Sequence, residues 1–165
     1  MIQNPYSRRQ IVGGSLAAIG GFALLQGQTH NAIVAASSIH QEEDFKAPPA
    51  RIYQALLDSR QFAAFSGGRA AEIHPQAGAT FSVFEGHIVG RNIELVPDRR
   101  IVQAWRVVNW AEGMYSMAKF ELQPQGAGTR IVFDHAGFPQ TPGEAEHLAS
   151  GWQENYWQPL RKYLA

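Results

Sequence analysis

Six histidines, at positions 30, 40, 74, 87, 135 and 147, are the side chains of this 165-residue sequence best suited to proton transfer or metal ligation. Their spacing does not form a metal motif. No His-x-x-His or His-Glu-x-x-His occurs and there is no cysteine, so the three or four converging ligands that zinc needs are not expected. No Gly-x-Ser-x-Gly elbow presents a nucleophilic serine, and no strand–GxxxxGK–helix loop cradles phosphate. No cofactor is implied. Two polar residues stand out because strand alternation places them among apolar neighbours. His135 shares a face with Ile131 and Phe133, and Arg106 shares one with Val102, Ala104 and Val108. A buried His or Arg needs partners. Those partners are either one acidic or phenolic ligand met by both residues, or internal groups, with the Arg snorkelling at a sheet rim. Residues 101–108 are apolar on both faces, so Trp105 competes with Arg106 for the inward position.

The aromatic residues Trp105, Trp110, Tyr115, Trp152, Tyr156 and Trp157 also admit two uses. They fill a core, or some of them line a pocket for a flat apolar ligand. Trp152 and Trp157 lie five residues apart, about 500° on an α-helix, so Trp157 is expected to be exposed or in an interface. The candidates for a ligand cleft are Phe65, Arg106, Phe120, Phe133, His135, Trp152 and Tyr156.

These residues must be positioned by the following elements. Weak alternation over Ile39 to Phe45 predicts an edge strand. Pro49 suits a helix first turn, and Ile52, Tyr53, Leu56 and Leu57 continue at helical spacing. A second short helix runs from Arg60 to Phe65 and stops at Ser66-Gly67-Gly68. The period then changes to two, with turn residues between the runs. Strands are predicted at Ala70–His74, Ala79–Phe84, His87–Leu95, Ile101–Asn109, Tyr115–Gln123 and Thr129–Ala136. Their short connections imply an antiparallel meander. Thr141-Pro142-Gly143-Glu144 reads as a helix start, with Thr141 as N-cap and Glu144 closing a capping box. Leu148, Trp152, Tyr156, Leu160 and Leu164 then recur at i+4. Pro159 removes one ladder bond to Asn155, so a kink is expected there. The plan is α+β: a helix-grip fold, with an antiparallel sheet wrapped around a long C-terminal helix.

Ahead of this domain, Arg8-Arg9 precedes the apolar run Ile11 to Leu25, fifteen residues of which five are Gly or Ser. The pattern is that of a twin-arginine export signal, and the run is too short for a permanent span, which needs roughly 20 apolar residues. Residues 1–36 are read as the signal, with cleavage after Val34-Ala35-Ala36, and residues 37–165 as the exported domain. The expected location is the periplasm or cell envelope, reached through the twin-arginine machinery. The exported part holds 12 Lys+Arg (the 14 of the whole chain less Arg8 and Arg9) against 14 Asp+Glu. Such a balance argues against a nucleic-acid partner, which demands a basic surface.

Four stretches carry a family resemblance. They are Phe45-Lys46-Ala47-Pro48-Pro49-Ala50-Arg51-Ile52-Tyr53-Gln54-Ala55-Leu56, Gly86-His87-Ile88-Val89-Gly90-Arg91-Asn92-Ile93-Glu94-Leu95-Val96-Pro97, Arg100-Ile101-Val102-Gln103-Ala104-Trp105-Arg106 and Gly151-Trp152-Gln153-Glu154-Asn155-Tyr156-Trp157-Gln158-Pro159-Leu160. Together they resemble the domain of activators of the ninety-kilodalton heat-shock protein ATPase, a member of the START-like (SRPBCC) superfamily, over about residues 38–165. The resemblance implies the helix-grip fold and no shared catalytic constellation. Superfamily members include lipid carriers, cyclases and chaperone activators. The expected function is non-enzymatic binding of a small apolar or amphipathic ligand between sheet and helix. The alternatives are a chaperone-activator-like adaptor and a cyclase- or hydrolase-like enzyme with His135 as general base. The eukaryotic activators carry an additional domain that helps engage the chaperone. The single domain read here follows an export signal, so a chaperone partner is not expected of it.

Overall fold

A computed structural model describes residues 38–165. The export-signal reading, with Arg8 and Arg9, lies outside the described residues. Strand β1 (Ser38–Phe45) leads into helices α1 (Pro49–Leu57) and α2 (Ser59–Phe65). Pro49 occupies the first turn of α1, and the Asp58 carboxylate caps α2 by accepting from the backbone N–H groups of Arg60 (3.1 Å) and Gln61 (2.9 Å). Strands β2 (Glu72–Ile73), β3 (Thr80–Val83), β4 (Ile88–Val96), β5 (Arg100–Val107), β6 (Ser116–Gln125) and β7 (Gly128–Ala136) follow.

All pairings are antiparallel, and the sheet order is β1-β7-β6-β5-β4-β3-β2. β1 is therefore an edge strand, as its weak alternation predicts. The other edge, β2, is shorter than the predicted Ala70–His74. The backbone there finds partners outside the ladder: Ser59 Oγ accepts from the Ile73 N–H (2.9 Å), and just past the strand the His74 carbonyl accepts from Asn92 Nδ2 (2.9 Å).

The closing helix consists of α3 (Glu144–Trp152), a single π turn (Gln153–Trp157) and α4 (Gln158–Tyr163). Its start differs from the predicted capping box. Gly143 holds the N-cap position at φ +81°, and Thr141 Oγ1 donates to the Glu144 carboxylate from the preceding turn. The other carboxylate oxygen of Glu144 accepts from Trp110 Nε1 at 3.0 Å, which draws the side chain away from the cap. Where a kink is expected from Pro159, the helix carries a π turn just before it, in which the Gln158 N–H bonds to the Gln153 carbonyl, five residues back.

The π turn overturns the expected exposure of Trp157. A ring closed i to i+5 brings residues five apart onto one side. Trp157 is fully buried, stacks on Trp152 (centroids 5.7 Å, 22° between planes), and donates its Nε1–H to Gln41 Oε1 on β1 (2.6 Å). Gln41 Nε2 in turn donates to the Ala149 carbonyl (3.1 Å), so one glutamine ties the edge strand to the helix. The stripe Leu148, Trp152, Tyr156 and Leu160 is buried as its spacing predicts. The core fills the space between this helix and the inward face of the sheet, and the structure is the expected α+β helix-grip.

Candidate functional site

Strand β5 alternates with Ile101, Gln103, Trp105 and Val107 buried. Trp105, with far more apolar area than the Arg106 stem, takes the inward place. Arg106 lies on the opposite face, where Nη2 donates to the carbonyls of Trp110 (2.7 Å) and Val108 (3.3 Å). It staples the loop between β5 and β6. The expected meeting of Arg106 and His135 on one ligand is therefore corrected: the two residues sit on opposite faces of the sheet.

His135 does point inward and is fully buried. Its two ring nitrogens are both engaged. Trp152 Nε1 donates to Nδ1 at 3.0 Å, and Nε2 lies 2.6 Å from Ser116 Oγ. An indole N–H only donates, so Nδ1 carries no proton and Nε2 carries it. Ser116 Oγ accepts a hydrogen bond from that N–H and donates its own O–H to the Trp105 carbonyl at 3.0 Å. The chain Trp152–His135–Ser116–Trp105 is closed and neutral. Burial alone presses the His135 pKa down to about 3. Both nitrogens have internal partners, which is the satisfied-pair alternative and not the ligand-facing one.

A cleft of about 1000 Å3 opens between the closing helix and strands β4 and β5 with the turn that precedes β4. Its helix side is formed by Glu144, Leu148, Trp152, Asn155 and Tyr156; its sheet side by Phe84, Ile88, Trp105 and Val107; its mouth by Trp110, Met114 and Pro139. The volume lies in the usual range for small-ligand sites. Of the candidates named from sequence, Trp152 and Tyr156 line it. Phe65, Phe120, Phe133 and His135 do not; they are packed in the core. Phe120 and Phe133 pack on one another at 4.9 Å, and Phe65 packs on Phe62 at 4.7 Å.

Two features mark the end of the cleft near the turn before β4. Phe84 has φ +54°, a left-handed conformation that bulky residues rarely adopt. It is held there by edge-on contacts with Tyr156 (5.3 Å) and Phe62 (5.2 Å) and by the Arg69 guanidinium 4.3 Å above its ring. Arg69 was not legible as a site residue, because it lies in the irregular segment between Gly68 and β2, where no periodicity assigns a direction. Ser116 was legible in principle: it extends the inward set of Ala118, Phe120 and Leu122 by one step of two.

A seven-stranded antiparallel sheet gripping one long helix, with a cleft between them, defines the START-like (SRPBCC) class. The family model described as "Activator of Hsp90 ATPase homolog 1-like protein" matches residues 46–165, and the chain belongs to that family. An uncharacterized protein of Schizosaccharomyces pombe is 29% identical over 136 residues, 82% of this chain and 39% of its own length. The mouse activator of 90 kDa heat shock protein ATPase homolog 2 is 26% identical over 127 residues, 77% of this chain and 38% of its own length. The chain thus spans about two fifths of these curated relatives. Among solved structures, an HSP90 activator from Plasmodium falciparum superposes with a TM-score of 0.74 at 26% identity, covering 78% of this chain and 96% of that one. The Aha1 dimer from Colwellia psychrerythraea shares the fold, with a TM-score of 0.67 at 20% identity over 77% of this chain and 95% of that one.

Proposed function

We propose that the domain is a non-enzymatic binder of a small apolar or amphipathic molecule, held between the closing helix and the sheet. The observation that carries this reading is the cleft of about 1000 Å3 whose walls are mainly aromatic and aliphatic. A domain that needed only a core would pack this space to interior density. The engaged nitrogens and low basicity of His135 speak against the enzyme alternative, since a general base must reach a substrate proton and take it near neutral pH. The test is native mass spectrometry of protein purified from its own cells, joined to a thermal-shift screen of fatty acids, aromatic acids and neutral lipids. A co-purifying small molecule or a shift with one class supports the reading. Absence of both overturns it.

Chaperone activation is the second reading, and family membership favours it. Its test is stimulation of the ATPase of a ninety-kilodalton heat-shock protein from the same cells by the purified domain. We further propose export, on Arg8-Arg9 and the short apolar run that follows. An exported domain would be parted from cytosolic ATP-dependent chaperones, so the two proposals compete.

A further inference from the structure

Polar side chains line the cleft at both ends, Thr141, Glu144 and His147 at one and Arg69, Glu85 and Asn155 at the other, where the most buried polar groups, those of Trp105 and Tyr156, are donors. Trp105 is 4% exposed, and its Nε1–H is buried without a hydrogen-bond partner. Indole nitrogen only donates, and a buried donor left unmade is unfavourable. The Tyr156 hydroxyl lies by this N–H, near enough to feel it but without good hydrogen-bond geometry, and by Arg69; burial pushes the Tyr156 phenol up, so it stays protonated and able to donate. Arg69 is fixed in place by Nε–H donating to the Ser66 carbonyl (2.8 Å) and Nη2–H donating to Asn155 Oδ1 (3.1 Å). None of the ion pairs among the described residues includes Arg69, and Glu85 beside it on the rim forms none. The other carboxylate of the lining, Glu144, lies eleven residues before Asn155, roughly 16 Å along the helix, and is engaged by Trp110.

We propose that the cleft selects amphiphiles with a carboxylate head, which sits against Arg69, the Trp105 indole N–H and the Tyr156 hydroxyl while the apolar body runs toward Leu148 and Trp110. The proposal rests on the binding reading above and names the ligand class for it. A carboxylate is acceptor-only when ionised and carries two oxygens, so it matches a fixed cation and two neutral donors. A cationic head has no acceptor to offer there, and a hydroxyl head meets the donors without the charge.

The test uses three probes of equal chain length below their micelle concentrations: dodecanoate, dodecanol and dodecyltrimethylammonium. Binding to the full chain is read by tryptophan fluorescence and thermal shift, for the wild type and for Arg69→Gln and Trp105→Phe. Dodecanoate should bind about tenfold or more tightly than dodecanol, and Arg69→Gln should erase that preference by weakening dodecanoate far more than dodecanol. Trp105→Phe keeps an aromatic ring and removes the N–H, so it should weaken dodecanoate more than dodecanol, because the charged acceptor loses the stronger bond; circular dichroism checks its fold, and Arg69→Gln tests the proposal independently. Equal binding of dodecanoate and dodecanol overturns the carboxylate inference and leaves the cleft reading standing. A carboxylate preference that survives Arg69→Gln overturns the placement of the head. Binding of none of the three overturns both.

Discussion

Trp152 donates its indole N–H to Nδ1 of His135 at 3.0 Å, and this one bond dictates where the histidine proton sits. The helix that closes the fold thereby sets the protonation of a residue on the seventh strand. A charged His135 would present an N–H at Nδ1 to another N–H, and would do so without water. The arrangement stabilises the neutral ring only.

Stability should therefore depend on pH through His135. The unfolded side chain takes up a proton near its ordinary value of 6.5, whereas the folded one resists until about 3. Between those values the unfolded chain binds more protons, so stability is full above about pH 6.5 and falls as the pH drops toward 3. The limiting slope for one such group is about 1.4 kcal/mol per pH unit. His40, whose pKa is raised by its hydrogen bond to Asp134, has the opposite sign but is exposed and screened. Urea denaturation at intervals from pH 7 to 4.5 should show the slope in the wild type. His135→Gln should flatten it; an unchanged slope would place the titration elsewhere.

Trp157→Ala should cost about 3–5 kcal/mol, the range for a buried large aromatic, and Trp152→Ala a similar amount. The full burial of Trp157 between Phe133 (5.2 Å) and Phe120 (6.0 Å) is the reason. A denaturation midpoint corresponding to a loss under about 1 kcal/mol would mean that Trp157 faces solvent.

Gly90→Ala should be as severe as a core truncation. The Phe81 ring lies over the Gly90 Cα, and an added Cβ would overlap both that ring and the Ala104 carbonyl on the neighbouring strand. Overpacking of this kind costs roughly 1–3 kcal/mol, and more where backbone must shift. Thermal denaturation of the variant checks it; a Tm within a degree or two of wild type would contradict the close approach.

Residues 37–165 should fold without the preceding segment, because every strand and helix of the grip lies within 38–165. A chain of that span lacking a cooperative thermal transition by circular dichroism would refute this. The export proposal is checked separately, by replacing Arg8 and Arg9 with Lys and fractionating the cells. Unchanged delivery to the envelope would exclude the twin-arginine route.

The sheet was readable because Ala118, Phe120 and Leu122 alternate against Lys119, Glu121 and Gln123, and one buried face forces that pattern. The closing helix was readable from its i+4 stripe. Arg106 was misplaced because its strand is apolar on both faces, which leaves direction to be decided by packing volume. Trp157 was misplaced because reasoning at 3.6 residues per turn has no room for a π turn. Of the site, the aromatic walls Trp152 and Tyr156 were visible, while Arg69 was not, since an irregular segment gives its side chains no periodic address.

The π turn also determines how the closing helix responds to changes in its length. Trp157 reaches the inward side because the turn absorbs one residue more than an ordinary helix would. Deleting a residue between Trp152 and Trp157 would bring the second indole four positions after the first, about 40° away at normal pitch, still facing the sheet. Inserting one would carry it six positions on, roughly 240° around, into solvent and out of reach of Gln41. Shortening this stretch by one is thus a repair of pitch, whereas lengthening it by one removes a fully buried indole from the core and breaks the Gln41 bond that ties the edge strand to it.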